Sequence, residues 1–301
     1  MMKRLAAVLL LVGCHSSSPA MNGGDDDDMQ APDARGSDSG SGAAVPKIPT
    51  PTGTCPEIKN GDVTFAPAGM PSRKVNLALD ESKPNGELVI YWYATGSGTF
   101  EAAYSLGDTE KTITDAGGVV ATPYADASAG TFEWFIVNQS TKQDDFLLAD
   151  EIVGCLVQAG RVDPMHIHAM GMSAGALQTT ALSFIRADYI ASVATYSGGV
   201  PPQFTPVNQD PANKFAALIF DGGANDNIFG VDFQAASMTY QTMLSADGHY
   251  AELCDHGNGH NIPLDAAPSV ATFFTANPFG AWPSPYASAG IPASFPSYCM
   301  R

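Results

Sequence analysis

Residues 166–178 read HIHAMGMSAGALQ, with Gly171-Met172-Ser173-Ala174-Gly175 at the centre. In a chain holding 30 glycines, a G-x-S-x-G is weak evidence on its own. A serine hydroxyl is also a poor nucleophile near neutral pH. It needs a base within hydrogen-bond reach and an acid that orients the base. Two later stretches carry those residue types. Asp221-Gly222-Gly223-Ala224-Asn225-Asp226 offers two carboxylates, and Asp255-His256-Gly257-Asn258-Gly259-His260 offers two imidazoles and a third carboxylate. Asp226 lies far enough into its loop to turn back toward a histidine, whereas Asp221 reads as a turn residue capping its own loop. His260 follows a pliable Gly-Asn-Gly run that can carry its ring over a sheet edge; His256 is its rival, and Asp255 a third choice of acid. The candidate constellation is therefore Ser173, His260 and Asp226, and its chemistry would be acyl transfer.

Such residues converge only if the intervening chain forms a suitable frame. Glu87–Tyr93 is a short apolar run rich in β-formers, read as a buried strand ending in the small-residue loop from Ala94 to Gly98. Asp144 and Asp145 stand where a helix N-cap belongs, and that helix should run to about Ala159. Met165–Met170 reads as a strand and 176–185 as a helix, which puts Ser173 at a strand-to-helix junction. Further strands are expected at 190–196, 215–220 and 250–254, with helices near 232–246 and from Ser269. Helices between successive strands imply an α/β fold with a mostly parallel central sheet flanked by helices. In an α/β-hydrolase the order along the chain is serine, acid, histidine, as it is here. Gly171 and Gly175 would let the tight turn pass its neighbours. The oxyanion donors should be the amides of Ala174 and of Thr95 or Ala94.

His166 and His168 alternate along one strand and could share a metal, but buried, hydrogen-bonded histidines are the plainer reading. His249 is expected to be exposed. No C-x-x-C or H-E-x-x-H occurs, so neither a metal nor another cofactor is called for.

The first 14 residues, MMKRLAAVLLLVGC, join a basic pair to a short apolar run and a cysteine. They read as an export signal, and Leu11-Val12-Gly13-Cys14 resembles a bacterial lipobox, which implies cleavage before Cys14 and lipid on its thiol. Residues 15–51 hold Ser, Gly, Pro, Asp and Ala with few bulky apolar side chains, so they are expected to form an unfolded acidic linker, with one catalytic domain over 52–301. The expected location is the cell envelope, lipid-anchored, or the exterior. A formal net charge of −17 argues against a nucleic-acid partner. A monomer is expected, meeting the membrane only through its lipid. Of the five cysteines, Cys55, Cys155, Cys254 and Cys299 remain after Cys14, an even number suited to two disulfides in an exported chain. Three pairings are possible. Cys155–Cys254 with Cys55–Cys299 is preferred, since the first would brace the strand that launches His260 and the second would tie the domain's ends.

The segments LVIYWYATGSG, DDFLLADEIVGCLVQAGRVDPMHIHAMGMSAGA, LIFDGGANDN and CDHGNGH together resemble the polyhydroxybutyrate depolymerase and feruloyl esterase group of secreted α/β-hydrolases. The resemblance covers most of residues 55–275. It implies a serine esterase with Ser173 as nucleophile, Asp226 as acid and His260 as base, acting on polymer esters or plant cell-wall phenolic esters. The chain departs from the group at Tyr93-Ala94, where His-Gly is usual, and at Asp221, where His is usual. The first departure motivates an alternative from another class, an inactive relative serving as a surface binding or adhesion lipoprotein. Aromatic residues between Asn277 and Met300 are expected either to rim a substrate groove or, more simply, to pack an irregular tail on the domain.

Overall fold

The computed structural model describes residues 44–206 and 209–299. The expected export signal, Cys14 and the linker up to residue 43 lie outside the described residues. The elements run β1 (Gly61–Phe65), β2 (Arg73–Leu79), β3 (Gly86–Trp92), α1 (Phe100–Leu106), α2 (Asp108–Asp115), β4 (Val119–Pro123), α3 (Asp144–Gln158), β5 (Val162–Met172), α4 (Ala174–Ile185), β6 (Ser192–Tyr196), β7 (Ala216–Asp221), β8 (Asn227–Ile228), β9 (Val231–Asp232), α5 (Phe233–Ala246), β10 (Tyr250–Asp255), α6 (Ala267–Ala276) and α7 (Tyr286–Ala289).

Among the described residues, eight strands form one sheet in the order β1-β2-β4-β3-β5-β6-β7-β10. From β4 to β10 every neighbour pairs in parallel, while β1 pairs with β2, and β2 with β4, antiparallel. Leu88 to Trp92 on β3 and Ala216 to Asp221 on β7 are buried throughout, as strands covered on both faces must be. β2 shows the other pattern, with buried residues alternating with more exposed ones. α4 rests on β5 and β6, α5 on β7 and β10, and α6 on β5 and β6. The α/β fold with a mostly parallel sheet is thus the observed architecture.

Three expectations need correction. The linker does not extend to Pro51. Pro46 is already buried, and the Lys47 amide donates to the Asp188 carbonyl at 2.8 Å. Glu151 on α3 accepts the Thr52 amide (2.7 Å), the Thr52 hydroxyl (2.9 Å) and the Gly53 amide (2.9 Å). Composition hides this attachment because backbone polar groups carry much of it, beside a few apolar side chains such as Pro46 and Ile48. The second correction concerns the disulfides, which join Cys55 to Cys155 and Cys254 to Cys299, with Cα separations of 5.4 and 4.1 Å. Cys155 sits on α3, which packs on β1 and β5, while Cys254 is on the edge strand β10, three strands beyond β5. Three strand spacings are about 14 Å, twice the span a disulfide bridges. The segment leading into β1 runs along α3 and brings Cys55 there, and a 3₁₀ turn at Ser297–Cys299 lies on β10. The third concerns the start of α3. Gln143 takes the cap position with no side-chain bond, and Asp145 instead turns inward to pair with Arg73 at 2.6 Å and to accept the Phe135 amide at 2.7 Å.

Candidate active site

Ser173 occupies the single residue between β5 and α4, with φ 55° and ψ −119°. A side chain at positive φ is strained, so the surroundings must hold it there. Its amide donates to the Tyr196 carbonyl of β6 at 2.9 Å. The flanking glycines are demanded by space: a Cβ on Gly171 would lie 2.4 Å, and one on Gly175 1.9 Å, from the Trp92 carbonyl oxygen. The hydroxyl is thereby lifted off the strand end, beside the free N–H groups that open α4.

Asp226 follows β7 through a 3₁₀ turn at Gly223–Asn225 and is almost fully buried. One carboxylate oxygen, Oδ2, accepts from the Ser197 hydroxyl (2.7 Å) and the Gly222 amide (2.8 Å). The other, Oδ1, lies 2.7 Å from Nδ1 of His260. His260 Nε2 in turn lies 2.8 Å from Ser173 Oγ. A carboxylate only accepts, so Nδ1 carries the proton and Nε2 is left as the acceptor for the serine hydroxyl. Burial by itself would raise the Asp226 pKa. The hydrogen bonds from His260, Gly222 and Ser197, with the charge of His260, outweigh it and hold the carboxyl below its ordinary value. Left-handed backbone at Gly257 (φ 69°) and Gly259 (φ 68°) bends the loop that delivers His260, and the Gly259 amide ties this loop to the Gly222 carbonyl at 2.9 Å.

The competing residues lie elsewhere. Asp221 accepts the Gly223 amide within its own loop at 2.9 Å, and Asp255 accepts the Gly257 amide at 3.0 Å. His256 is buried against Tyr298, and its Nδ1 accepts the Asn258 amide. His168 is wholly buried, stacked on Phe274 and bonded through Nδ1 to the Ser192 hydroxyl at 2.8 Å. His166 stands beside it with ring centroids 6.0 Å apart, and no group of three or more metal-ligating side chains occurs among the described residues. His249 is buried, not exposed, because its Nδ1 reaches the Phe215 carbonyl at 3.0 Å.

The expected oxyanion donors divide. Ala174 supplies the first amide of α4. The Ala94 amide is excluded, since it donates to Glu101 Oε1 at 3.0 Å, whereas the Thr95 amide has no hydrogen bond among the described residues. Glu101 itself is buried and also receives the Tyr91 hydroxyl at 3.1 Å. Burial raises its pKa, against the opposing hydrogen bonds from Ser97, Ala94 and Tyr91. Tyr93 is locked beside it: its hydroxyl accepts the Ala125 amide (2.7 Å) and its carbonyl accepts Trp134 Nε1 (2.9 Å). Sequence reasoning found neither Glu101, which reads as an ordinary helix carboxylate, nor Ser197, whose one signal is its place just beyond the carboxyl end of β6.

Ser173 opens onto a cavity of about 390 Å³ lined chiefly by apolar side chains, among them Phe132, Ile136, Leu177, Phe204, Phe229 and Phe233. This size suits a small-molecule site. Phe132 and Phe229 meet edge to face on its wall, with ring centroids 5.6 Å apart. A second cleft of about 320 Å³ lies toward Thr95, Tyr104 and His260. The aromatic tail lines neither: Phe279, Tyr286 and Phe295 are buried in the domain's packing.

A serine at a strained strand-to-helix turn, at the carboxyl end of a central parallel strand, is the arrangement of the α/β-hydrolase fold, and the chain has that fold. Among solved structures it is similar to native pOPH (TM-score 0.61, 15% identity, 78% of this chain and 91% of that one). It is similar also to a thermostable esterase (0.55, 13%, 72% and 62%) and to an esterase of Pyrobaculum calidifontis (0.53, 14%, 71% and 83%). No protein-family model and no curated protein matches the sequence.

Proposed function

We propose that this chain is a serine esterase that hydrolyses carboxylic esters of a polymer or plant cell-wall type, such as polyhydroxyalkanoate, feruloyl or acetyl-polysaccharide esters, at the cell envelope. The observation that carries the reading is the run of two short hydrogen bonds from Asp226 through His260 to Ser173. Ser173 Oγ attacks the ester carbonyl while its proton passes to His260 Nε2. Asp226 holds the imidazole in the required tautomer and offsets the charge it gains. The amides of Ala174 and Thr95 receive the oxyanion. The carbonyl–oxygen bond to the alcohol breaks, and the departing oxygen takes the proton from Nε2. Water then attacks the acyl-serine, gives a proton to Nε2, and Oγ leaves as it recovers that proton. The lipid on Cys14 and the acidic linker would tether the domain to the membrane.

The test is hydrolysis of p-nitrophenyl acetate and butyrate and of methyl ferulate by the purified domain, with fluorophosphonate labelling of Ser173. The wild type should turn over at least one ester and take the label, and Ser173→Ala should do neither while keeping its circular dichroism. A folded wild type inert to every ester and to the label would reject the reading.

A further inference from the structure

The two concavities beside Ser173 are chemically unlike, and the reaction decides what each receives. The apolar cavity is lined by Ser173 and Ala174, the nucleophile and an oxyanion donor, but not by His260. The second cleft is lined by His260, Asn261 and Ile262 on one side and by Ala94 to Ser97, Phe100, Glu101 and Tyr104 on the other. The general acid must come within hydrogen-bond reach of the leaving oxygen. That oxygen therefore lies on the His260 side of Ser173 Oγ, and the carbons attached to it continue into the cleft that His260 lines. The acyl carbon stays bonded to Ser173 after the alcohol departs, so the acyl chain belongs in the apolar cavity.

The alcohol side also shows what it is built to hold. Phe100 and Tyr104 stand four residues apart on α1, hence on one helix face, and are 69% and 60% exposed although both are large and aromatic. Polar groups of Ser97, Asn261 and Glu101 line the same cleft. A sugar ring matches this mixed lining, offering a C–H face to the aromatic rings and hydroxyls toward its polar rim. We infer that Phe100 and Tyr104 form the alcohol subsite and that the alcohol is a sugar-type cyclic polyol, its acid being an apolar acyl group seated against Leu177, Phe132 and Phe229. This inference rests on the esterase reading of Ser173.

The experiment compares one acid, butyrate, as its methyl, p-nitrophenyl and glucose esters. In Phe100→Ala/Tyr104→Ala the ratio of kcat/KM for the glucose ester to that for the methyl ester should fall about five- to tenfold, the size of one or two lost ring contacts. Tyr104→Ser alone should lower it part of the way and covers the case of a poorly folded double variant. Leu177→Trp, which fills the apolar cavity, should raise the preference for acetyl over butyryl with either alcohol. An unchanged glucose-to-methyl ratio, a fall confined to the p-nitrophenyl ester, or a Leu177→Trp effect that follows the alcohol in place of the acid would each overturn the inference. Esterase activity itself would survive any of these results, and its absence in the wild type would instead strike the parent reading.

Discussion

Gly175 packs so closely on Trp92 that a Cβ would stand 1.9 Å from the Trp92 carbonyl oxygen. That contact joins the first turn of α4, which offers the Ala174 amide, to the end of β3, three residues before Thr95. It therefore sets the separation of the two proposed oxyanion donors. Gly175→Ala should push α4 from β3, lowering stability by about 1–3 kcal/mol as overpacking does. It should also reduce kcat by about 10²-fold, the scale of losing one oxyanion donor. Thermal melts with kinetics on a p-nitrophenyl ester check both. Full kcat in the alanine variant would show that the donors are not positioned through this contact.

Asp226→Asn should leave the fold intact and disable the base. The oxygen of the new amide should remain at the Oδ2 position, where Ser197 and Gly222 donate to it. The NH₂ group then faces His260 Nδ1 and can only donate. Nδ1 must become the acceptor, the proton moves to Nε2, and Nε2 no longer accepts the Ser173 proton. The expected loss is about 10³- to 10⁴-fold in kcat with little change in KM. An activity loss below tenfold would mean that Asp226 does not set the tautomer.

Much of this site was legible because its parts lie on long, well-marked elements. The apolar run of β3, the helix α3 and the glycine-flanked serine at the end of β5 carry strong local patterns. β2 alternates buried and more exposed residues and contains Arg73, Lys74 and Asn76, so its polarity hides a strand at the antiparallel end of the sheet. The cavity wall was not legible. Phe132 and Ile136 belong to a loop between β4 and α3 with no period of its own, fixed from afar when the buried Arg73–Asp145 pair captures the Phe135 amide. Disulfide pairing failed for a related reason: it depends on the path of the chain over α3 and β10, which no local pattern encodes.

The two disulfides make a direct check on that path. Non-reducing peptide mapping should recover Cys55 linked to Cys155 and Cys254 linked to Cys299. Each removes loop entropy from the unfolded chain, so replacing either pair by serines should cost about 2–4 kcal/mol. Cys254 lies six residues before His260, on the strand that launches its loop. The Cys254→Ser/Cys299→Ser variant should therefore also lose activity at temperatures where the Cys55→Ser/Cys155→Ser variant keeps it. Recovery of Cys155 linked to Cys254 would refute the arrangement.

Glu87 supplies a pH signature that is independent of catalysis. It lies on β3 with its side chain 14% exposed, and burial pushes its carboxyl up to about 7. Its neighbour His168, with Nε2 at 3.9 Å from Glu87 Oε2, is held neutral because burial, then the adjacent His166, lowers its pKa. The folded pKa of Glu87 lies above the unfolded value of 4.5, so the folded state binds the proton more tightly. Its contribution is fully present below pH 4.5 and is lost as pH rises through about 7. Glu87→Gln keeps the shape and the neutral form at every pH. Urea unfolding should find the two proteins within about 1 kcal/mol of each other near pH 4.5, with the variant ahead by up to about 3 kcal/mol near pH 8.5. His168 should stay neutral in both folded proteins, so the difference between them isolates Glu87. A difference that stays constant from pH 4.5 to 8.5 would mean the buried carboxyl ionises in the folded state as readily as in the unfolded chain.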